Sequence, residues 1–174
     1  MSKLEPGRPT LANDALVRVL LSYSPRVEQI GAVCDLLASL YVPHVRDPDA
    51  SSRLRLVVHE LLENLVKYST ASPVEFDFCI AREGAGLRVA IRTENRAAVD
   101  RLTDTEARLT ALNAAHDPVA HYDEVIRASA GRREGSGLGL ARIHAEGEML
   151  LSHLVVGDRL TILVEGTISP RSSR

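Results

Sequence analysis

The stretch His59–Ser69 (HELLENLVKYS) constrains this chain more than any other. Around it, Leu54, Leu56, Val57, Val58, Leu61, Leu62, Leu65 and Val66 recur at helical spacing and mark one buried helix face. Glu60, Asn64 and Lys67 stand at i, i+4 and i+7, so they form one line along a single side of that helix. A carboxylate, an amide and an amine in one line can serve as a base, a metal ligand and a phosphate contact. The same three residues also suit an ordinary solvated helix face.

A second stretch favours the chemical reading. Gly135-Ser136-Gly137-Leu138-Gly139-Leu140 runs into a helical segment, Ala141–Met149. Closely spaced glycines ahead of a helix let backbone N–H groups approach an anion at the helix N-terminus. Glycines also end helices and make turns, so such a loop by itself is a weak signal.

The chain has 174 residues, which is enough for one domain with a real core. Its formal net charge of −2 gives no general attraction to nucleic acid or to an anionic membrane surface. Aromatic residues are scarce and Trp is absent, so stacking platforms for single strands are missing. Cys34 and Cys79 stand apart in apolar surroundings and read as buried free thiols. His116, His121, His144 and His153 lack metal-ligand spacing with carboxylates. With no leader and no membrane-length apolar run, the expectation is a cytoplasmic protein.

Met1–Thr10 reads as a flexible tail, residues 11–170 as a single domain, and residues 171–174 as a second tail. Ala15–Tyr23 reads as an edge strand, and Pro25 suits the first turn of a helix running to about Leu40. Pro43 to Pro48 breaks the pattern, after which Asp49, Ser51 and Ser52 offer caps for the next helix. Val74–Ala81 and Leu87–Thr93 form a hairpin across Glu83-Gly84-Ala85-Gly86. Residues 94–134 carry two helices broken near Asp117-Pro118. Leu151–Val156 and Leu160–Ile168 close the chain as a last hairpin across Gly157-Asp158. The order predicts an α/β, two-layer α+β sandwich: a mixed, mostly antiparallel sheet with helices on one face.

From about Leu16 to Ile168 the chain resembles the GHKL superfamily of ATPases and kinases, which share the Bergerat ATP-binding fold. Glu60-x-x-x-Asn64-x-x-Lys67 looks like the N box of that family, and Gly135-x-Gly137-Leu138-Gly139-Leu140 like its second glycine box. The short layout is most similar to bacterial anti-sigma-factor serine kinases and to a divergent subgroup that includes SiaB-type kinases. The resemblance implies ATP and Mg²⁺ as cofactors and makes residues 94–134 a nucleotide lid. It implies Glu60 as general base, Asn64 as the Mg²⁺ ligand, and Lys67 as a positive charge near phosphate. It also implies that Gly135, Gly137, Leu138, Gly139 and Leu140 hold the triphosphate, with a hydroxyl contact from Ser136. One stretch departs from the family pattern. Where an Asp-x-Gly-x-Gly box would read adenine, this chain has Arg92-Thr93-Glu94-Asn95-Arg96-Ala97-Ala98, which leaves Asn95 or Glu94 to meet the base.

Three functions follow from the resemblance. The first is an ATP-dependent serine/threonine protein kinase in bacterial signal transduction. Its partner would be a small protein resembling an anti-sigma-factor antagonist, of STAS or SiaC type, and a homodimer fits the family's small members. The second is a catalytically inactive regulator that binds its partner with weak or no ATP binding. The third is the ATPase module of a histidine-kinase-like system.

Overall fold

A computed structural model describes residues 15–130 and 137–169. The two tails, and Gly135 and Ser136 of the glycine loop, lie outside the described residues, as do residues 131–134 of the expected lid. The elements are β1 (Ala15–Tyr23), α1 (Val27–Tyr41), α2 (Pro48–Tyr68), β2 (Val74–Glu83), β3 (Gly86–Arg96), α3 (Val99–Ala114), α4 (Pro118–Ser129), α5 (Leu138–Ala145), β4 (Leu150–Val156) and β5 (Arg159–Ile168). The five strands form one sheet in the order β1-β2-β3-β5-β4, and every pairing is antiparallel.

The helices cover one face of this sheet, so the architecture is the two-layer sandwich expected from the element order. The core joins Leu54, Leu61, Leu62 and Leu65 of α2 to Phe76, Phe78 and Ile80 of β2, Ile91 of β3 and Ile143 of α5. α2 and α5 therefore share one sheet face. Among the described residues no helix is long and apolar enough to cross a membrane.

Local chemistry moves several boundaries from their expected places. α2 begins at Asp47 rather than at Asp49, Ser51 or Ser52. The Asp47 carboxylate accepts from the Asp49 N–H at 2.9 Å, and Pro48 takes the first helical position, where a missing N–H costs nothing. Pro25 lies outside α1, which starts at Val27; the Arg26 N–H is met by the Gln29 side chain at 3.0 Å. α5 stops at Ala145 instead of reaching Met149. Gly147 and the positive φ of Glu148 (55°) turn the chain out of the helix.

β3 continues three residues past Thr93, because Glu94, Asn95 and Arg96 pair with Thr161, Leu160 and Arg159. That extension carries the alternation of the strand onward. Val89, Ile91, Thr93 and Asn95 all face the helices, and the row turns from apolar to polar as it leaves the core.

Cys34 and Cys79 are 2% and 1% exposed, and burial pushes both thiols above their ordinary pKa. The thiolate is the reactive form, so at neutral pH each cysteine should react only after the chain opens. Labelling with a thiol reagent at pH 7 should be slower in the native protein than in the unfolded chain by about a hundredfold or more. Stoichiometric labelling within seconds under native conditions would contradict this burial.

Candidate functional site

A cleft of about 260 Å³ opens between α2, α3, the first turn of α5 and the polar end of the sheet. Its floor is made by cross-strand pairs, Thr93 with Ile162 and Asn95 with Leu160. Glu60, Asn64 and Lys67 come from α2, and Gly137, Leu138, Gly139 and Leu140 from the glycine loop and α5. The fold thus gathers in one cleft every candidate site residue that the structure describes except Glu94, from positions up to 80 residues apart (Glu60 and Leu140).

The helical periodicity of α2 explains its share. Leu61, Leu62 and Leu65 are buried in the core, which leaves Glu60, Asn64 and Lys67 along the flank that borders the cleft. Glu60 is 15% exposed, and its Oε1 accepts from Nη1 of Arg142 at 3.0 Å. Its Oε2 would lie 2.7 Å from a Cβ placed on Gly139. Any side chain at position 139 would therefore displace the carboxylate, and glycine is what lets the α5 backbone come this close. Arg142 also bonds Glu146 through Nε at 2.9 Å. Tyr122 of α4 lies beside this pair; burial, then the Glu146 carboxylate, pushes its hydroxyl above the ordinary pKa.

Asn64 carries the most telling feature of the cleft. Its Nδ2 is buried without a hydrogen-bond partner, one of two such side-chain nitrogens among the described residues. A buried polar group left unpaired costs about 1–3 kcal/mol, and in a native fold it calls for a reason. The amide can present oxygen or nitrogen to the same spot by a half-turn of its last torsion. That terminus therefore suits either of two ligand atoms: a cation would take the oxygen, and a phosphate oxygen would take the N–H. Among the described residues no three His, Cys, Asp or Glu side chains form a metal cage, so a divalent ion here would draw its other ligands from phosphate and water.

Lys67 is bonded to Glu63, four residues earlier, and this hydrogen bond raises the pKa of its ammonium. Both side chains border the cleft. Asn95 is buried, and its Nδ2 donates to the Arg96 carbonyl at 3.2 Å, which leaves the side-chain oxygen to accept from a ligand. Glu94 points to the opposite sheet face. It is held there by Arg92, by Arg159 at 2.6 Å and by Thr161 at 3.4 Å. Of the two residues that could meet a base, only Asn95 reaches the cleft.

The structure adds residues that the motifs did not reveal. Arg101, Asp104, Thr105 and Arg108 of α3 line the cleft at i, i+3, i+4 and i+7. The guanidinium of Arg101 lies 5.7 Å from the centre of the Tyr68 ring, and Arg108 pairs with Asp104 at 2.8 Å. The signal was present as a polar stripe beside Leu102, Leu109 and Leu112. Nothing in the spacing alone told which way it faced.

No protein-family model matches the chain, and no curated protein matches it either. Among solved structures, a chain in the crystal structure of the SiaB–SiaC complex from Pseudomonas aeruginosa is similar, with a TM-score of 0.64 and 17% sequence identity. The match covers 89% of this chain and 91% of that chain. A likeness at this identity establishes a shared fold.

The contact of Gly139 with Glu60 can be tested by a double-mutant cycle. Gly139→Ala should destabilise the protein by about 1–3 kcal/mol, as overpacking does. The same change in a Glu60→Ala background should cost less, with a coupling of about 0.5–3 kcal/mol in urea unfolding. Strict additivity would show that the two residues do not touch.

Proposed function

We propose that this chain is an ATP-binding serine/threonine protein kinase of the GHKL type, close to the anti-sigma-factor and SiaB-type kinases. It regulates a small signalling protein by phosphorylation or sequestration. The observation that carries this reading is the convergence of Glu60, Asn64, Lys67, Asn95 and Gly137–Leu140 on one cleft, with Nδ2 of Asn64 buried and unpartnered in its wall. The shared fold with a chain of the SiaB–SiaC complex supports a SiaB-like regulator with a small partner of SiaC type.

Bound ATP with Mg²⁺ supplies the phosphoryl group. With these bound, Asn64 would offer its side-chain oxygen to the metal, and Asn95 would offer an acceptor to the base. Lys67 and the backbone of Gly137–Leu140 would receive the phosphates, a role that the resemblance also gives to Gly135 and Ser136. Glu60 takes the proton of the acceptor hydroxyl. Its tie to Arg142 sets the direction of the carboxylate, and its position against Gly139 sets the depth.

A second reading has its own support. Glu60 is already paired with Arg142, Lys67 is already paired with Glu63, and the end of β3 offers neither Asp nor Gly to an adenine ring. These features fit a regulator that binds its partner and uses nucleotide weakly or not at all.

Two substitutions separate the readings. In calorimetry, Asn64→Ala should weaken ATP binding or remove its Mg²⁺ dependence. Glu60→Gln should bind ATP within a few-fold of wild type, since a base acts mainly in the transition state. Transfer from labelled ATP to a SiaC-type partner should then fall by about a hundred- to ten-thousand-fold in Glu60→Gln. Unchanged transfer in that variant would remove Glu60 from the chemistry. A wild-type protein that binds no nucleotide at millimolar ATP would establish the second reading.

A further inference from the structure

We propose that the phosphate acceptor reaches Glu60 through a second groove beside α2, as a protein segment whose serine or threonine has an acidic side chain two residues away; this rests on the kinase reading of the cleft given above. A cleft of about 260 Å³ has the size for one small ligand. With a nucleotide in it, a protein segment has no space there, yet the base must touch the acceptor hydroxyl. Glu60 therefore needs a second approach, and the surface supplies one. An open groove of about 370 Å³ is lined by Ser52, Arg55, Leu56, His59, Glu60 and Arg142. Glu60 is the one residue that borders both this groove and the cleft.

The carboxylate of Glu60 is divided between the two. Its Oε2 lies against Gly139, a cleft residue. Its Oε1 accepts from Nη1 of Arg142, a groove residue, at 3.0 Å. A carboxylate oxygen can accept two hydrogen bonds, so Oε1 can hold Arg142 and still take a hydroxyl. In the transfer, the hydroxyl oxygen bonds the terminal phosphorus of ATP, and the bond from that phosphorus to the bridging oxygen breaks to release ADP. The hydroxyl proton passes to Glu60.

The chemistry of the groove selects the segment. Ser52, Arg55, Leu56 and His59 stand at i, i+3, i+4 and i+7, on one face of α2. Leu56 is partly buried and gives the groove an apolar patch. The side chains of Arg55, His59 and Arg142 are 47%, 49% and 42% exposed. Arg55 gives one N–H to Asp35 at 2.7 Å, and Arg142 gives one to Glu60 and one to Glu146. His59 lies 3.9 Å from Glu63. A guanidinium has five N–H donors, so both arginines keep donors for a further carboxylate. Within the lining, two guanidinium groups and an imidazole stand against one carboxylate, which an acidic side chain complements. Arg55 precedes Glu60 by five residues, about 7.5 Å along the helix, and an extended segment covers that distance in about two residues. That sets the spacing between acidic side chain and acceptor.

The test is transfer of labelled phosphate from Mg²⁺-ATP by the full chain to synthetic peptides with one central serine. The peptides carry Asp, Ala or Lys two residues before or after that serine. Wild type, Arg55→Ala and Arg55→Glu are compared, with calorimetry for ATP binding and thermal unfolding to show that each variant is folded. Wild type should favour Asp over Ala at one of the two positions by about three- to tenfold in kcat/KM, the range for a partly exposed charge pair. Arg55→Ala should remove that preference and Arg55→Glu should turn it toward Lys, while both bind ATP within a few-fold of wild type. If wild type binds ATP but shows no preference for Asp or transfers to no peptide, or if both variants keep the Asp preference, the acceptor does not lie along this groove, although the cleft remains a nucleotide site. If wild type binds no ATP, the nucleotide reading of the cleft fails and this proposal falls with it.

Discussion

The closeness of α5 to α2 is the constraint on which the rest of the site depends. Two glycines set it. At the start of α5, Gly139 admits the carboxylate of Glu60; past its end, Gly147 lies against Val57, whose Cγ2 would be 2.6 Å from an added Cβ. Between these points Arg142 reaches across to Glu60 at 3.0 Å. α5 is only eight residues long and would be marginal as an isolated helix. Its stability comes from this packing, which also fixes where its N-terminus opens into the cleft.

The sheet contributes by having two chemically different faces. The inner face is apolar through Phe76, Phe78, Val89 and Ile91, and becomes polar only at Thr93 and Asn95, where the helices draw apart. The outer face is a lattice of charge pairs: Arg18 with Asp77, Arg92 with Glu75 and Glu94, Arg88 with Glu165, and Arg159 with Glu94. The exposed pairs among them add little stability each. Their effect here is on direction, since they hold Glu94 on the outer face and leave Asn95 as the polar end of the inner row. Asp77 is the buried member, 2% exposed, and its pairing with Arg18 spares the fold an uncompensated interior charge.

α3 uses its two sides in the same economical way. Leu102, Leu109 and Leu112 anchor it, while the stripe from Arg101 to Arg108 becomes a cleft wall. The break at Asp117-Pro118 then turns the chain into α4, with the Asp117 carboxylate accepting from Val119 and Ala120 N–H groups at 2.9 and 3.0 Å. That turn brings Tyr122 to the Arg142–Glu146 pair. The segment between the second hairpin strand and the glycine loop is therefore tied to the site from both of its helices.

Much of this was legible from the chain alone, because periodicity and turn chemistry are local. The spacing of leucines in α2 fixed which flank Glu60, Asn64 and Lys67 occupy, and alternation fixed the two hairpins. Glycines ahead of an apolar helical run pointed to a helix there, which the structure starts three residues before Ala141, at Leu138. What the sequence left open depended on neighbours distant in the chain. The choice between Glu94 and Asn95 turned on three extra residues of β3 pairing with β5, which no local pattern signals. The α3 arginines needed a packing direction before they could belong to a site, and Arg142 needed α5 placed on α2 before it could meet Glu60. Sequence determined the elements and the chemical groups they carry; the tertiary structure decided which of those groups face one another, because that is set by packing between elements and not by order along the chain.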